Sequence, residues 1–373
     1  MQLSKMQLIF WLGICGLWVN SKPSIAQSIT GNFSPFTLDP LAYATVRPAS
    51  PAVATTRPSA AVSLGDLASE EMALEQSPYT PIDACACGCG IFDVGTESML
   101  PQGTGLTVYF EYAYQDQNIN WSGVKPASSA DNDDKNIRTS FFTPGIQYMF
   151  NRSWGIQAEL PLANRHFETT GGASGNDIVD QDWTTIGDMR VEAIYDGFFP
   201  DQSAGVTFGL KLPTGNFRHN DQYEDIDRDS EIGTGSTDVL LGGFYRNYLT
   251  KDQRLAWFAQ INLDIPQLTQ DQYRPGVEAD GALGVYLNGI NFGRVGVIPI
   301  VQVLDGLRGH DSGPNAAYPV ASGYERVLLS PGVEIHIHPL MIYADVELPV
   351  YNHVTGNQLV GSNLCKIIVS YQF

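Results

Sequence analysis

From Gly105 to Phe373 the chain runs through twelve segments of about 11–14 residues in which apolar and polar side chains tend to alternate. Successive side chains of a strand point to opposite faces, so each such segment carries one apolar and one polar face. The segments lie near 105–116, 137–150, 153–164, 185–198, 203–215, 236–249, 254–265, 276–288, 292–304, 323–337, 340–351 and 363–373. Strands of globular proteins cluster near ~5–6 residues. A tilted strand crossing a bilayer needs ~9–11. Leu106, Val108, Phe110, Tyr112 and Tyr114 oppose Thr107, Tyr109, Glu111, Ala113 and Gln115, and Val346, Leu348 and Val350 oppose Asp345 and Glu347. In 236–249 the faces are ambiguous, because Val239, Leu240 and Leu241 are consecutive.

The connections alternate without a break. Short ones fall at Asn151-Arg152, around Pro200, at Lys251-Asp252, Gly289-Ile290 and His338-Pro339. Long ones fall at 117–136, 165–184, 216–235, 266–275, 305–322 and 352–362. A secreted sandwich has no reason to keep this parity, whereas outer-membrane barrels have short periplasmic turns and long outer loops. The fold class expected is therefore all-β, a closed antiparallel transmembrane barrel of about twelve strands over residues 103–373, in the bacterial outer membrane.

The N-terminal residues agree with export. Lys5, the apolar run Leu8 to Val19 and the small-x-small Ser24-Ile25-Ala26 read as a signal peptide over 1–26. That run is too short for a spanning helix, which needs ~20 residues, and no later apolar stretch is longer. Cleavage would remove Lys5 and Lys22 and no acid, leaving 19 basic and 40 acidic side chains and a formal charge of −21. Such a chain is a poor partner for nucleic acid or anionic surfaces. Residues 27–80 form a Pro/Ala/Ser/Thr-rich leader expected to be disordered. Residues 81–102 form a Cys-rich segment before the first strand.

In Cys365 to Phe373 the residues Cys365, Ile367, Val369, Tyr371 and Phe373 share one face. This resembles the closing strand of outer-membrane barrels, whose terminal Phe is read by the barrel insertion machinery. The resemblance implies that machinery and outer-membrane lipid as partners. Four further pieces resemble one family, the outer-membrane transporters of the phenol-degradation MetA-pathway type. They are Gly187-Asp188-Met189-Arg190-Val191, Gly209-Leu210-Lys211-Leu212-Pro213-Thr214-Gly215, Gly233-Thr234-Gly235-Ser236-Thr237-Asp238 and Leu329-Ser330-Pro331-Gly332, and the similarity covers roughly 100–373. It implies a channel passing small solutes, hydrophobic or aromatic ones among them, and carries over no catalytic residue.

If the apolar faces meet lipid, the polar faces point inward. That count places Asp188, Arg190, Glu192, Lys211, Asp264, Glu278, Asp280, Arg294, Asp345 and Glu347 along the lumen, together with Glu334, His336 and His338. Such charges can form a filling network, a solute path with a net-negative wall, or both. Twelve strands lie between barrels filled by side chains, at ~8, and open pores, at ~16–18, so the passage is expected to be narrow.

Three smaller features suggest ions. Cys85, Cys87 and Cys89 fall within five residues and could wrap a soft metal such as Cu(I) or Zn(II). His336 and His338 could share a metal. Asp225, Asp227, Asp229 and Glu231 imitate the start of a calcium loop, but Ser230 and Ser236 stand where such a loop needs Gly and Glu. Metal-binding or structural and adhesive barrels are thus alternatives to a channel. An outer-membrane lipid hydrolase is the enzymatic competitor. It needs a Ser–His pair on the lipid-facing surface, while His336 and His338 count inward and no Gly-x-Ser-x-Gly occurs.

Overall fold

The computed structural model describes residues 104–171, 177–219, 226–316 and 320–373. The expected signal peptide, leader and Cys-rich segment lie outside the described residues. In chain order the strands are β1 (Gly105–Gly123), β2 (Lys125–Pro126), β3 (Asp134–Met149), β4 (Trp154–Glu159), β5 (Leu162–Gly171), β6 (Asp177–Ile186), β7 (Met189–Tyr195) and β8 (Ala204–Leu212). They continue as β9 (Ser236–Tyr248), β10 (Leu255–Thr269), β11 (Glu278–Leu287), β12 (Ile290–Phe292), β13 (Val295–Arg308), β14 (Tyr324–Ile337) and β15 (Leu340–Gln372). All are antiparallel to their neighbours, and β1 closes the sheet on itself by pairing with both β3 and β15. Val108, for example, faces Ile146 on one side and Tyr371 on the other.

Two pairs of strands are single barrel staves with a break. β4 and β5 both pair with β3, interrupted at Leu160-Pro161, and β6 and β7 pair with β5 and β4, interrupted at Gly187-Asp188. β15 is the reverse case. At ~3.3 Å per residue, its 33 residues would span ~110 Å if straight. Yet the Gln372 amide donates to Pro339 O at 3.1 Å, so the segment folds back, with Gly356 at φ +71 in its bend. Its first half pairs with β14 and its second with β1. With β15 supplying two staves, the described residues form the twelve expected ones.

The molecule is apolar outside. More large apolar side chains are exposed than buried, including Val108, Phe110, Ile146, Tyr148, Val346 and Leu348 along the outward rows. An apolar surface of that extent is stable only against lipid. Aromatic side chains crowd the short-turn end: Tyr148 and Phe150 at 5.3 Å, Trp154 and Tyr195 at 4.7 Å, Tyr371 and Phe373 at 4.7 Å. That is the interfacial girdle of a membrane barrel. At the other end the outward rows turn polar. His166 bonds to Asp182 and Glu168 at 2.9 Å each, and Asp305 is outward and exposed.

Several expected loops are strand. β1 runs on to Gly123, β5 and β6 reach Gly171 and Asp177, and β15 passes through 352–362. Beyond the lipid belt both faces of a hairpin meet water. The alternation that marks a strand then vanishes from the sequence, while the backbone ladder continues. The ambiguity in β9 is also resolved: Leu240 is buried inside, while Leu241 is exposed.

Candidate functional site

The barrel interior is divided lengthwise. Against β10–β15 and β1 it is filled by an apolar cluster of Tyr109, Phe258, Tyr286, Ile300, Leu304, Leu328, Tyr343 and Ile368. Against β3, β4 and β7–β11 it opens into a cavity of about 210 Å³, room for about seven waters at ~30 Å³ each. The reason lies in the inward rows. β10, β11 and β13 put Phe258, Tyr286 and Ile300 inward, whereas β4, β7 and β8 put Gln157, Glu159, Arg190, Glu192 and Lys211 there.

Charges on the cavity wall are paired across strands. Lys211 Nζ lies 2.5 Å from Asp238 and 2.6 Å from Asp264, and Arg190 reaches Asp264 at 3.6 Å. Gln157 donates to Glu192 at 2.9 Å and Tyr109 to Glu159 at 3.0 Å. On the filled side Asp345 accepts from Ser330 at 2.5 Å and from Tyr343 at 2.8 Å.

A segment of the third long connection roofs this cavity. Ile226–Gly235 turns into the barrel, and Arg228, Asp229, Glu231, Ile232, Gly233 and Thr234 line the cavity's end. Ile226 and Ile232 pack with Ala113, Ile137, Phe141, Phe167 and Trp183, and burying each is worth about 1.5–3 kcal/mol. Arg165, only 1% exposed, donates to Thr139 Oγ1 at 3.0 Å and to the Ser230 carbonyl. Outside, Arg218 grips Asp271 through two bonds of 2.5 and 2.7 Å, which holds the Asp271 carboxyl below the usual carboxylate range.

The quoted sequence motifs meet at the base of this roof. Asp188 Oδ1 accepts from the Gly215 amide at 2.9 Å, and its Oδ2 from the Thr234 amide at 2.8 Å and hydroxyl at 2.6 Å. The Gly233 amide donates to Asn216 O at 2.9 Å. A Cβ on Gly233 would sit 2.5 Å from Gly215 C, and one on Gly215 would sit 2.8 Å from Gly233 Cα. Only glycines let these backbones touch. Three motifs separated in sequence are thus one clasp that draws the two ends of the connection between β8 and β9 together on the wall.

Of the residues expected in the lumen, Asp188, Arg190, Glu192, Lys211, Asp264, Glu278 and Asp280 line the cavity. Asp345 and Glu347 are buried on the filled side, and Glu334 is buried with His336 hydrogen-bonded to it. Arg294 is exposed in the tight turn between β12 and β13, because the inward count does not survive the turn. His338 is likewise exposed in a turn. Asp238 was hidden by the ambiguous faces of β9. Glu111 and Lys366, on the polar faces of β1 and β15, also point inward.

The ion-site expectations are corrected. Among the described residues no group of three or more His, Cys, Asp or Glu side chains is placed to hold a metal. His336 and His338 do not gather a further ligand: one bonds Glu334 and the other faces solvent. In the acidic loop Asp227 is exposed while Asp229 and Glu231 are buried, so the carboxylates diverge. Glu231 accepts from the His219 amide at 2.5 Å. Cys365 is a free, half-buried cysteine, and Cys85, Cys87, Cys89 and Asp225 lie outside the described residues.

No family model and no curated protein matches the chain. Among solved structures, an outer-membrane channel from Pseudomonas putida F1 aligns with a TM-score of 0.56 and 13% identity, over 75% of this chain and 100% of that one. The β domain of the Bordetella autotransporter BrkA aligns with a TM-score of 0.46 and 14% identity, over 72% and 100%. A Pseudomonas aeruginosa FadL homologue aligns with a TM-score of 0.35 and 10% identity, over 72% and 90%. With its lipid-facing belt and closed antiparallel sheet, the chain has the fold of an outer-membrane β-barrel.

Proposed function

We propose that this barrel passes small solutes passively across the outer membrane, along the polar side of its lumen and past the roof segment Ile226–Gly235. The observation that carries the reading is the half-filled lumen: a polar, charge-lined cavity beside an apolar packed wall, closed at one end by a clasped segment. A purely structural barrel has no need to keep such a space. The wall is amphiphilic, with Phe141, Ile194, Leu240 and Phe244 beside Arg190, Glu192 and Lys211. That chemistry suits small solutes with an apolar or aromatic body, in line with the motif resemblance to MetA-pathway-type transporters. In reconstituted bilayers the barrel should give discrete conductance, and proteoliposomes should take up small aromatic solutes faster than sugars of similar mass. A silent, impermeable barrel would sink the reading.

The end of the chain has its own role in this proposal. Phe373 is 72% exposed and packs on Tyr371 at a tilt of 59°, leaving an aromatic end free for the insertion machinery. Deleting Phe373 removes one amide bond, to Leu106 O at 2.8 Å, and little packing. Folding in detergent should therefore be nearly unchanged, while the amount inserted in cells should fall several-fold. Heat-modifiable gel migration of membrane fractions separates the two, and equal insertion would remove Phe373 as a signal.

A further inference from the structure

One carboxylate on the cavity wall is left over. Asp280 is 4% exposed, lines the cavity, and its Oδ1 has no hydrogen-bond partner among the described residues. Its neighbours are otherwise engaged: Lys211 and Arg190 go to Asp264 and Asp238, and Glu278 accepts from Tyr324 at 2.8 Å. The charges acting most strongly on Asp280 are Glu278 and Asp264 against Arg326 and Arg190. Lys366 also acts on it from further off, yet among the described residues none of these cations forms an ion pair with Asp280, whose Oδ1 is left without a partner. A buried carboxylate in that position lacks a direct ion-pair partner, and the cavity is where one can arrive.

We propose that Asp280 is the docking point for the ammonium group of a small amine with an apolar body. This rests on the reading of the cavity as a solute path and names the class of solute it holds. A multivalent metal ion is disfavoured, since no three carboxylate, thiol or imidazole groups converge among the described residues. An ammonium needs only one charged acceptor and nearby polar groups, which Asn262, directly opposite Asp280 on β10, can supply. The apolar part has Leu240, Ile194 and Phe244 in the same cavity. Its volume of about 210 Å³ is ample for one ring, since an apolar cavity of ~150 Å³ holds benzene.

The test is calorimetric titration of the refolded full-length barrel with benzylamine at pH 7, where the amine is protonated, against benzyl alcohol as its neutral counterpart. Benzylamine should bind at least tenfold more tightly than the alcohol. Asp280→Asn should abolish that preference, Asp280→Glu should keep most of it, and Asp305→Asn, an outward carboxylate paired opposite Gly281, should leave it unchanged. Equal affinity for amine and alcohol, an undiminished preference in Asp280→Asn, or no binding of benzylamine overturns the proposal. Should Asp280→Asn fail to fold, the amine-to-alcohol ratio in the wild type and in Asp280→Glu still decides. Calorimetry reads binding without flux, so a barrel that binds the amine but does not conduct refutes the channel and spares the site.

Discussion

Lys211→Met should destabilise the barrel by about 3–5 kcal/mol, the largest effect expected of any single lumen substitution. The ammonium stands between Asp238, fully buried, and Asp264, 7% exposed. Removing it leaves two buried carboxylates facing each other without a cation between them. They do not suffer equally, because Asp264 keeps Arg190 at 3.6 Å while Asp238 has no other ion pair among the described residues. Lys211→Met combined with Asp238→Asn should therefore recover most of the loss. The same pairing with Asp264→Asn should recover less. Urea titration of the reconstituted barrel measures all three. A loss below about 1 kcal/mol would show that water already screens this pair as it does at a protein surface.

The second large effect concerns the roof instead of the wall. In Asp188→Ala three donors, the Gly215 and Thr234 amides and the Thr234 hydroxyl, lose their common acceptor. Hydrogen bonds to a charged group contribute about 1.5–3 kcal/mol each, not additively, so docking of Ile226–Gly235 should weaken by about 3 kcal/mol. That is a shift of about a hundredfold in the docked-to-undocked ratio. The barrel itself should keep its stability, since Asp188 sits in the break between β6 and β7, outside the ladder. Single-channel conductance should rise several-fold with more frequent open events. Gly233→Ala should act in the same direction by forcing a contact of 2.5 Å against Gly215. Unaltered conductance in both variants would mean that the segment is not what narrows the path. Because Lys211→Met changes stability and Asp188→Ala changes passage, the pair distinguishes wall from roof.

The sequence determined the barrel, its strand order and the lipid-facing rows, because each of these is written locally. A membrane strand must alternate, and the alternation of Leu255, Trp257, Ala259 and Ile261 names its outer face without reference to any neighbour. The same logic placed Arg190, Lys211 and Asp264 inside. It failed where alternation stops carrying information. In water-exposed hairpins such as 117–136 both faces are polar, and in 236–249 consecutive apolar residues concealed Asp238. Arg294 was misplaced because a turn resets the face.

Only the tertiary structure decided how the inside is used. Facing inward does not tell a residue whether it will meet Phe258 or a cavity, since that depends on which strands lie opposite across the lumen. Nor does a run such as Gly233-Thr234-Gly235 disclose its partner. The partners of that run, Asp188 and Gly215, stand at the adjoining ends of β7 and β8 and meet it only once β7, β8 and β9 have paired in turn. Local alternation fixes faces, whereas pairing across a closed lumen is set by the whole sheet at once. That is why the charges were legible one by one, while the clasp and the unmatched Asp280 were not.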